Sequence, residues 1–600
     1  MKITWAMGLF RTFILALLLA QFSGYAVAQD AAPEADLLEI QPEEPEEPEV
    51  PSPPSADDIP GIETEKPEEA AGEPKEIEVA EVKSEPSALA KFNGFAFSIL
   101  FYDLSGGAIT MPKVDHAGEP VLDKDGQPEV MTVTIPLLIV VLLAGAIFFT
   151  FYYRFINFRG FKHAIQVVAG KFDKDTDEGE ISHFRALTSA LSATVGVGNI
   201  AGVAVAIMAG GPGAVFWMIL VAFFGMSAKF SSCTLAQLYR KVNKDGSISG
   251  GPMYYLDIGL KNMGLATLGK ILAVMYAVMV MGGALGGGNM FQANQTAEAI
   301  VSTFGVEGDA AQANAKLGIG ITMAVFVGLV IIGGIRRIGL ATSRVVPTMC
   351  GLYVVASIYI ILSNIGAVPA ALGLIFQQAF TENAVFGGML GVLVQGVKRA
   401  AFSNEAGLGS AAIAHAAAKT DEPVREGIVA MIGPFIDTVI ICLMTSLVVI
   451  VTGVYAEPEF LAQGTGFKVG VTMTTTAFGS SVGWFEHVLT ACIALFAYST
   501  MIAWCYYGER GWIYLMDHFG NLGHKTVIVF RLIFVAAVVY GAIKPLADVL
   551  DFSDVMILSM AFPNIIGSMI LAPKVMPHVK SYCNRFLGGK GDSGGPEAMS

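Results

Sequence analysis

Apolar stretches of about 20 residues recur along this chain from residue 132 to 573, and about that many are needed for a helix to cross the hydrocarbon of a bilayer. Only 15% of the 600 residues are charged while 54% are hydrophobic, and the mean hydropathy is +0.59. Such a chain reads as an all-α polytopic membrane protein. In lipid every backbone polar group without a partner costs several kcal/mol. An interruption inside one of these stretches therefore needs a reason.

Two stretches are interrupted. The first, 186–208, carries Gly196, Gly198, Asn199 and Gly202 in its middle, and the second, 387–418, carries Ser403, Asn404, Glu405, Gly407 and Gly409. Glycine weakens a helix, and a lone Asn has no cheap partner in lipid. Two broken helices at corresponding places of two halves point to a transporter site near the membrane midplane. The freed N–H groups at the start of a half-helix attract a carboxylate, and freed carbonyls accept from an ammonium or coordinate a small cation. A zwitterionic amino acid with a cation supplies both, and the glycines keep the cavity between them small.

Eleven spans are expected: 133–153, 186–208, 213–238, 271–300, 319–335, 345–365, 387–418, 427–454, 488–507, 526–543 and 555–571. Basic residues mark one side as cytoplasmic, among them Arg154, Arg159, Lys162, Arg240, Lys241, Arg336, Arg337, Arg344, Lys419, Arg425, Arg510, Lys574 and Lys580. This places the N-terminus outside and the C-terminus in the cytoplasm. Ten spans form two sets of five, each opened by a broken helix and entered from opposite sides, which is an inverted repeat inferred from topology. The span 133–153 stands ahead of both.

Residues 1–28 have a Lys2/Arg11 flank, an apolar stretch and Ala26-Val-Ala28, which read as a secretory signal, either cleaved or kept as an anchor. Residues 29–90 hold 11 Pro and 20 acidic residues against 3 Lys, too polar to bury a core, and are expected to be a disordered extracytoplasmic tail. An extracytoplasmic segment (91–131), the transmembrane domain (132–575) and a cytoplasmic tail (576–600) complete the order. The tail explains the net charge of −15, since 91–600 balance at 32 acidic and 32 basic residues. No basic patch implies nucleic acid. The six cysteines have no metal-like spacing, and neither disulfides nor a structural zinc site are expected.

The stretch Thr188-Ser-Ala-Leu-Ser-Ala-Thr-Val-Gly-Val-Gly-Asn-Ile-Ala-Gly-Val203, with Gly250-Gly-Pro-Met-Tyr-Tyr255, Gly288-Asn-Met-Phe-Gln-Ala-Asn-Gln295 and Ser403-Asn-Glu-Ala-Gly-Leu-Gly-Ser-Ala411, resembles the alanine/glycine:cation symporter family over about 132–574. The resemblance implies sodium-coupled uptake of alanine or glycine across a bacterial-type cytoplasmic (inner) membrane, through a fold similar to the leucine transporter's five-plus-five repeat. It implies no cofactor beyond the coupling sodium ion. Carried over, Gly196, Gly198 and Asn199 would line the substrate carboxylate, Gln292 and Asn294 would flank the pocket, and the backbone near Phe402 and Ser403 would face the ammonium. One sodium would lie between the first broken helix, near Thr194 and Val197, and the hydroxyls of Ser499 and Thr500.

Plainer readings stand beside these. Gly202, Gly282, Gly283 and the glycine run 286–288 read as helix packing. Ser499 and Thr500 are either ligands or hydroxyls bonded to the preceding turn. Asn199 and Asn404 serve either a site or a helix–helix hydrogen bond, and His415 reads as an interfacial histidine. Asp437 is either a proton or ion group or a carboxylate paired in the bundle, and Lys398, Arg399 and Glu405 need partners, one another or Asp437. No Gly-Lys-Ser/Thr stretch supports an ATP-driven pump, and no His-Glu-x-x-His supports a membrane enzyme. A proton-coupled symporter is the alternative, and a sensor or channel has no visible signalling domain or pore repeat.

Overall fold

A long apolar run folds as a helix in lipid because only the helix satisfies every backbone group within the segment. The computed structural model describes residues 97–588 together with Gly94, apart from 113–125, 175, 245, 381–387, 464–466, 521 and 545. The expected signal 1–28, the acidic stretch 29–90 and residues 589–600 lie outside the described residues. A short antiparallel hairpin, β1 (Thr110–Pro112) on β2 (Val130–Thr132), precedes the first apolar helix, α1 (Leu137–Tyr152). Asp103 joins this region to α1. Its carboxylate accepts from the Ser105 hydroxyl and from the N–H groups of Ile135, Ser105 and Gly107, bonds that hold its pKa well below the usual carboxylate range.

The first broken helix is α2 (His183–Thr194) followed by α3 (Ala201–Gly210), with α4 (Ala214–Leu238) after it. A second hairpin, β3 (Lys241–Val242) on β4 (Ile248–Ser249), leads to α5 (Pro252–Lys261). Then come α6 (Ala266–Leu285) and α7 (Phe291–Thr303), joined through a π-helical turn Gly286–Met290, and the long α8 (Asp309–Ile331) and α9 (Gly334–Ser363). After α10 (Val368–Ala379), the second broken helix is α11 (Gly388–Asn404) and α12 (Ala411–Ala416). A helix from α13 (Pro423–Ala430) to α14 (Leu443–Thr452) contains a π-helical stretch, Phe435–Cys442. The chain continues as α15 (Phe467–Ser481), α16 (Phe485–Asp517), α17 (Gly523–Ile543), α18 (Leu546–Ser559) and α19 (Ala561–Phe586).

Among the described residues eight helical segments are long and apolar enough to cross a membrane, and nine if the bent pair around α2 and α3 is one span, its halves meeting at 62°. Several boundaries depart from the sequence reading. The stretch between the expected spans 213–238 and 271–300 holds a hairpin and a helix, because Gly246 and Gly251 take the left-handed φ values of 75° and 118° that close the turn and start α5. The basic run 336–344 is no loop: it lies inside α9, which also absorbs Pro347. Helix α19 runs through Pro573 and Pro577 to Phe586, so the expected boundary at 575/576 falls within a helix whose Tyr582 is buried against His163.

Glycines set the closest helix approaches. A Cβ on Gly282 would lie 2.5 Å from Met556 Sδ, on Gly287 2.1 Å from Ile557 Cδ1, and on Gly288 2.3 Å from Trp504 Cγ. The π-helical turn thus packs directly on α16 and α18, as the packing reading of these glycines expects. Backbone meets backbone at Gly541 of α17, where a Cβ would fall 2.4 Å from Met290 Cα and 2.6 Å from its carbonyl oxygen. Gly541→Ala is expected to cost about 1–3 kcal/mol, because no side-chain rotation relieves the clash. A thermal melt of the detergent-purified variant that matches the unmutated protein would refute this.

Candidate functional site

At the first break α2 stops because Val195 and Gly196 leave the helical region (φ −78°, ψ 93° and φ −139°, ψ −160°), and the chain resumes with one tight turn, Val197–Asn199. The freed groups find side chains. Gly196 N–H donates to Asn199 Oδ1 (2.9 Å), Val197 N–H to Gln292 Oε1 (3.4 Å), Trp504 Nε1 to the Ala193 carbonyl (3.3 Å) and Thr445 Oγ1 to the Asn199 carbonyl (2.9 Å).

At the second break the ladder of α11 ends with the bond from Glu405 N–H to the Ala401 carbonyl (3.1 Å). Ala406 N–H turns instead to Asn404 Oδ1 (2.9 Å). Glu405, Gly407 and Gly409 have φ of 55°, 89° and 83°. The glycines take this left-handed backbone freely, whereas a Glu there stores strain of order 1–3 kcal/mol. The loop is clasped from three sides: Lys229 Nζ donates to the Asn404 carbonyl (3.1 Å), Asn564 Nδ2 to the Gly407 carbonyl (2.7 Å), and the Ser410 hydroxyl to Glu405. Tyr255 donates to Asn564 Oδ1, and a Cβ on Gly409 would lie 2.8 Å from Pro252 Cγ. The motif 250–255 is therefore packing and second-break support.

A polar junction joins the two breaks. Asn199 Nδ2 donates to Asp437 Oδ1 (2.6 Å) and Ser403 Oγ (3.0 Å), while the hydroxyls of Ser403 and Thr438 donate to Asp437 Oδ2 (both 2.8 Å). Asn404 Nδ2 donates to Thr438 Oγ1 (3.0 Å). Asn199, Ser403 and Asp437 are at most 1% exposed. Asp437 sits in the π-helical stretch, so its carboxylate is partnered within the bundle and links both broken helices.

The structure brings Gly196, Gly198, Asn199, Gln292, Phe402 and Ser403 together. A Cβ on Gly196 would lie 3.3 Å from Gln292 Oε1, and one on Gly198 3.4 Å from the Phe402 ring. Asn294 is not among them. Its Nδ2 donates to the carbonyls of Gly541 (3.1 Å) and Lys544 (2.7 Å), at the end of α17. Of the four residues expected around sodium, Thr194 back-bonds to the Ala190 and Leu191 carbonyls (both 3.3 Å), and Val197 presents its N–H to Gln292. Ser499 Oγ donates one turn back to Phe496 (3.0 Å), and its carbonyl accepts from Ser192 (2.5 Å). Thr500 differs: its buried hydroxyl has no hydrogen-bond partner among the described residues and lies 2.8 Å from where a Cβ on Gly196 would be.

Other charges resolve as well. Lys398 pairs with Asp554 (3.3 Å). His415 is fully buried rather than interfacial, because Glu426 of α13 receives it through Nδ1 (2.5 Å) while also meeting His183 Nδ1 at the start of α2. Beside this trio the chain ahead of α2 pairs with the chain after α12: Glu180 N–H donates to the Ala417 carbonyl and Lys419 N–H to that of Ile181 (both 2.8 Å). Arg240 adds bonds to the carbonyls of Ala418 (2.6 Å) and Glu178 (2.8 Å). Sequence reasoning passed over Lys229 and Glu426. A lone Lys inside the apolar run 213–238 was the available signal.

Comparison with known proteins adds the following. A family model described as the sodium:alanine symporter family matches residues 127–593. The chain is 42% identical over 448 residues to the sodium/alanine symporter AgcS of Methanococcus maripaludis, covering 74% of this chain and 94% of that one. It is 33% identical over 456 residues to the probable sodium/glutamine symporter GlnT of Bacillus subtilis, covering 76% and 89%. It is also 34% identical over 452 residues to the putative sodium/proton-dependent alanine carrier protein YrbD of the same organism, covering 74% and 89%.

Asn199 is the side chain shared by the first break and the junction. Asn199→Ala leaves the Gly196 N–H and the Asp437 carboxylate each short of a partner, at ~1–3 kcal/mol per buried group. Equilibrium unfolding of the purified variant should show that loss. A change under about 0.5 kcal/mol, the scale of a neutral surface substitution, would count against the role.

Proposed function

Because the chain belongs to the sodium:alanine symporter family, whose members are multi-pass membrane transporters and not enzymes, we propose that it carries small neutral amino acids, alanine and/or glycine, into the cell with sodium as the coupling ion. The observation that carries the ion assignment is the Thr500 hydroxyl, buried, unpartnered and aimed at the break beside Gly196. A hard cation wants several oxygen ligands, and an unwound helix supplies carbonyls beside that hydroxyl. Thr194 and Val197 stay in the proposed shell through the backbone carbonyls of their stretch, and Ser499 through the oxygen of its hydroxyl. The amino acid would lie between the breaks, its carboxylate toward Gly196, Gly198 and Asn199 and its ammonium toward the carbonyls freed near Phe402 and Ser403. Gln292, bonded to the first break, flanks it. We assign Asn294 to that flank only through its neighbour in the same helix.

Space favours a small solute. The first break meets Thr500 and Gln292 on one side and the Phe402 ring on the other. An overpacked site costs about 1–3 kcal/mol, so leucine and phenylalanine should compete poorly with alanine. To the nine crossings above, α1 and the pair α11 and α12 add two. Ten of the eleven then form a leucine-transporter-like five-plus-five inverted repeat.

A second reading, coupling to protons, is favoured by Asp437, an ionisable group at the junction of both breaks. Uptake of labelled alanine into proteoliposomes separates the two. Sodium-driven uptake is expected, inhibited by glycine far better than by leucine. Thr500→Ala should raise the half-saturating sodium concentration about tenfold, the effect of losing one charge-assisted ligand. Asp437→Asn should keep the sodium requirement. Uptake that follows a pH gradient with sodium absent would overturn the sodium assignment.

The orientation has its own test. Tags after Gln29 and after Ser600 should be protease-accessible from opposite sides of the membrane, the first extracytoplasmic and the second cytoplasmic. Both on one side would reject the eleven-crossing arrangement.

A further inference from the structure

The two breaks are stabilised differently. At the first, a hydroxyl waits without a partner. At the second, a basic side chain is already in place: Lys229, in the second half of α4 and 3% exposed, donates from Nζ to the Asn404 carbonyl, the last of α11 (3.1 Å). A positive charge at the C-terminal end of a half-helix meets the negative end of its dipole. The Lys229 side chain is buried and reaches the carbonyl at which α11 gives way to the left-handed Glu405. Its tip is also confined, since a Cβ on Gly433 would lie 3.1 Å from Nζ. A lysine taken fully into an apolar bundle is costly unless its charge is used.

We propose that Lys229 is the positioning residue of the second break: tethered to α4, it holds the Asn404 carbonyl and so keeps residues 405–410 unwound in the shape that receives the amino acid. The second break then needs no ion of its own, whereas the first recruits one from solution. This rests on the symport reading given above, and the two fail in different experiments. If the unmutated protein shows no sodium-driven alanine uptake, the symport reading falls and this assignment with it.

If it does, Lys229→Met, which keeps the length and apolar stem without the charge, tests the assignment alone. The full-length variant is reconstituted at matched amounts after its melting temperature is recorded. The alanine KM at saturating sodium is expected to rise about tenfold or more, with the half-saturating sodium concentration held within about twofold. Gly433→Ala serves as a milder second variant, because its methyl displaces the ammonium without removing it. It should raise the alanine KM about threefold, with sodium again unchanged, and it carries the test if Lys229→Met does not reconstitute. A lysine that merely stabilised the fold would lower the melting temperature and leave the KM of the surviving protein alone. An alanine KM within about twofold of the unmutated value in the reconstituted variants, or an equal rise in the sodium requirement, overturns the proposal.

Discussion

Everything at the centre of this molecule follows from one constraint: backbone N–H and C=O groups released from a helix inside an apolar bundle must be satisfied on the spot. Two helices are opened, and a different set of neighbours answers each time. Asn199, Gln292, Trp504 and Thr445 take up the groups of the first break, and Lys229, Asn564 and Asn404 those of the second. Asn199 and Asn404 belong to the breaks themselves, while the other five come from helices far apart in sequence. The breaks therefore dictate how the bundle packs around them.

The breaks were legible in sequence because they violate a simple expectation. Glycines and an amide within an apolar run of spanning length have no place in a continuous lipid-facing helix, and the limits 186–208 lie close to the observed helices His183–Thr194 and Ala201–Gly210. The interruptions that look similar but are not breaks were harder. Arg336 and Arg337 read as a loop between spans, yet they lie within one helix that also takes in Pro347, and Pro573 and Pro577 did not end α19. Tertiary packing outweighs such local signals, since neighbours can re-satisfy the carbonyls that a proline frees.

Partner choice was not legible. Asn199 and Asn294 are both amides in apolar helices, and nothing local tells that one joins the two breaks while the other binds carbonyls at the end of α17. The same holds for His415, whose place near a helix end suggested an interface until Glu426 proved to be folded over it. Asp437 drew attention as a membrane carboxylate, but its role as the joint between Asn199 and Ser403 depends on a π-helical stretch that turns it inward. Pairings of this kind live in three dimensions. Lys229 is a different case, because a single charged residue in the apolar run 213–238 is visible in the sequence itself.

The trio of His183, Glu426 and His415 has a mechanical consequence. One carboxylate grips the start of the first broken helix with one oxygen and the end of the second with the other, and the strand-like bridge between Ile181 and Ala418 runs beside it. Charge-assisted bonds in a buried place are worth about 1.5–3 kcal/mol each, and these share a single acceptor group. Pulling either helix end away strips Glu426 of one of these two histidines while leaving it buried. The two ends are thus yoked: moving them as one body keeps both bonds, and moving either away from the other breaks at least one.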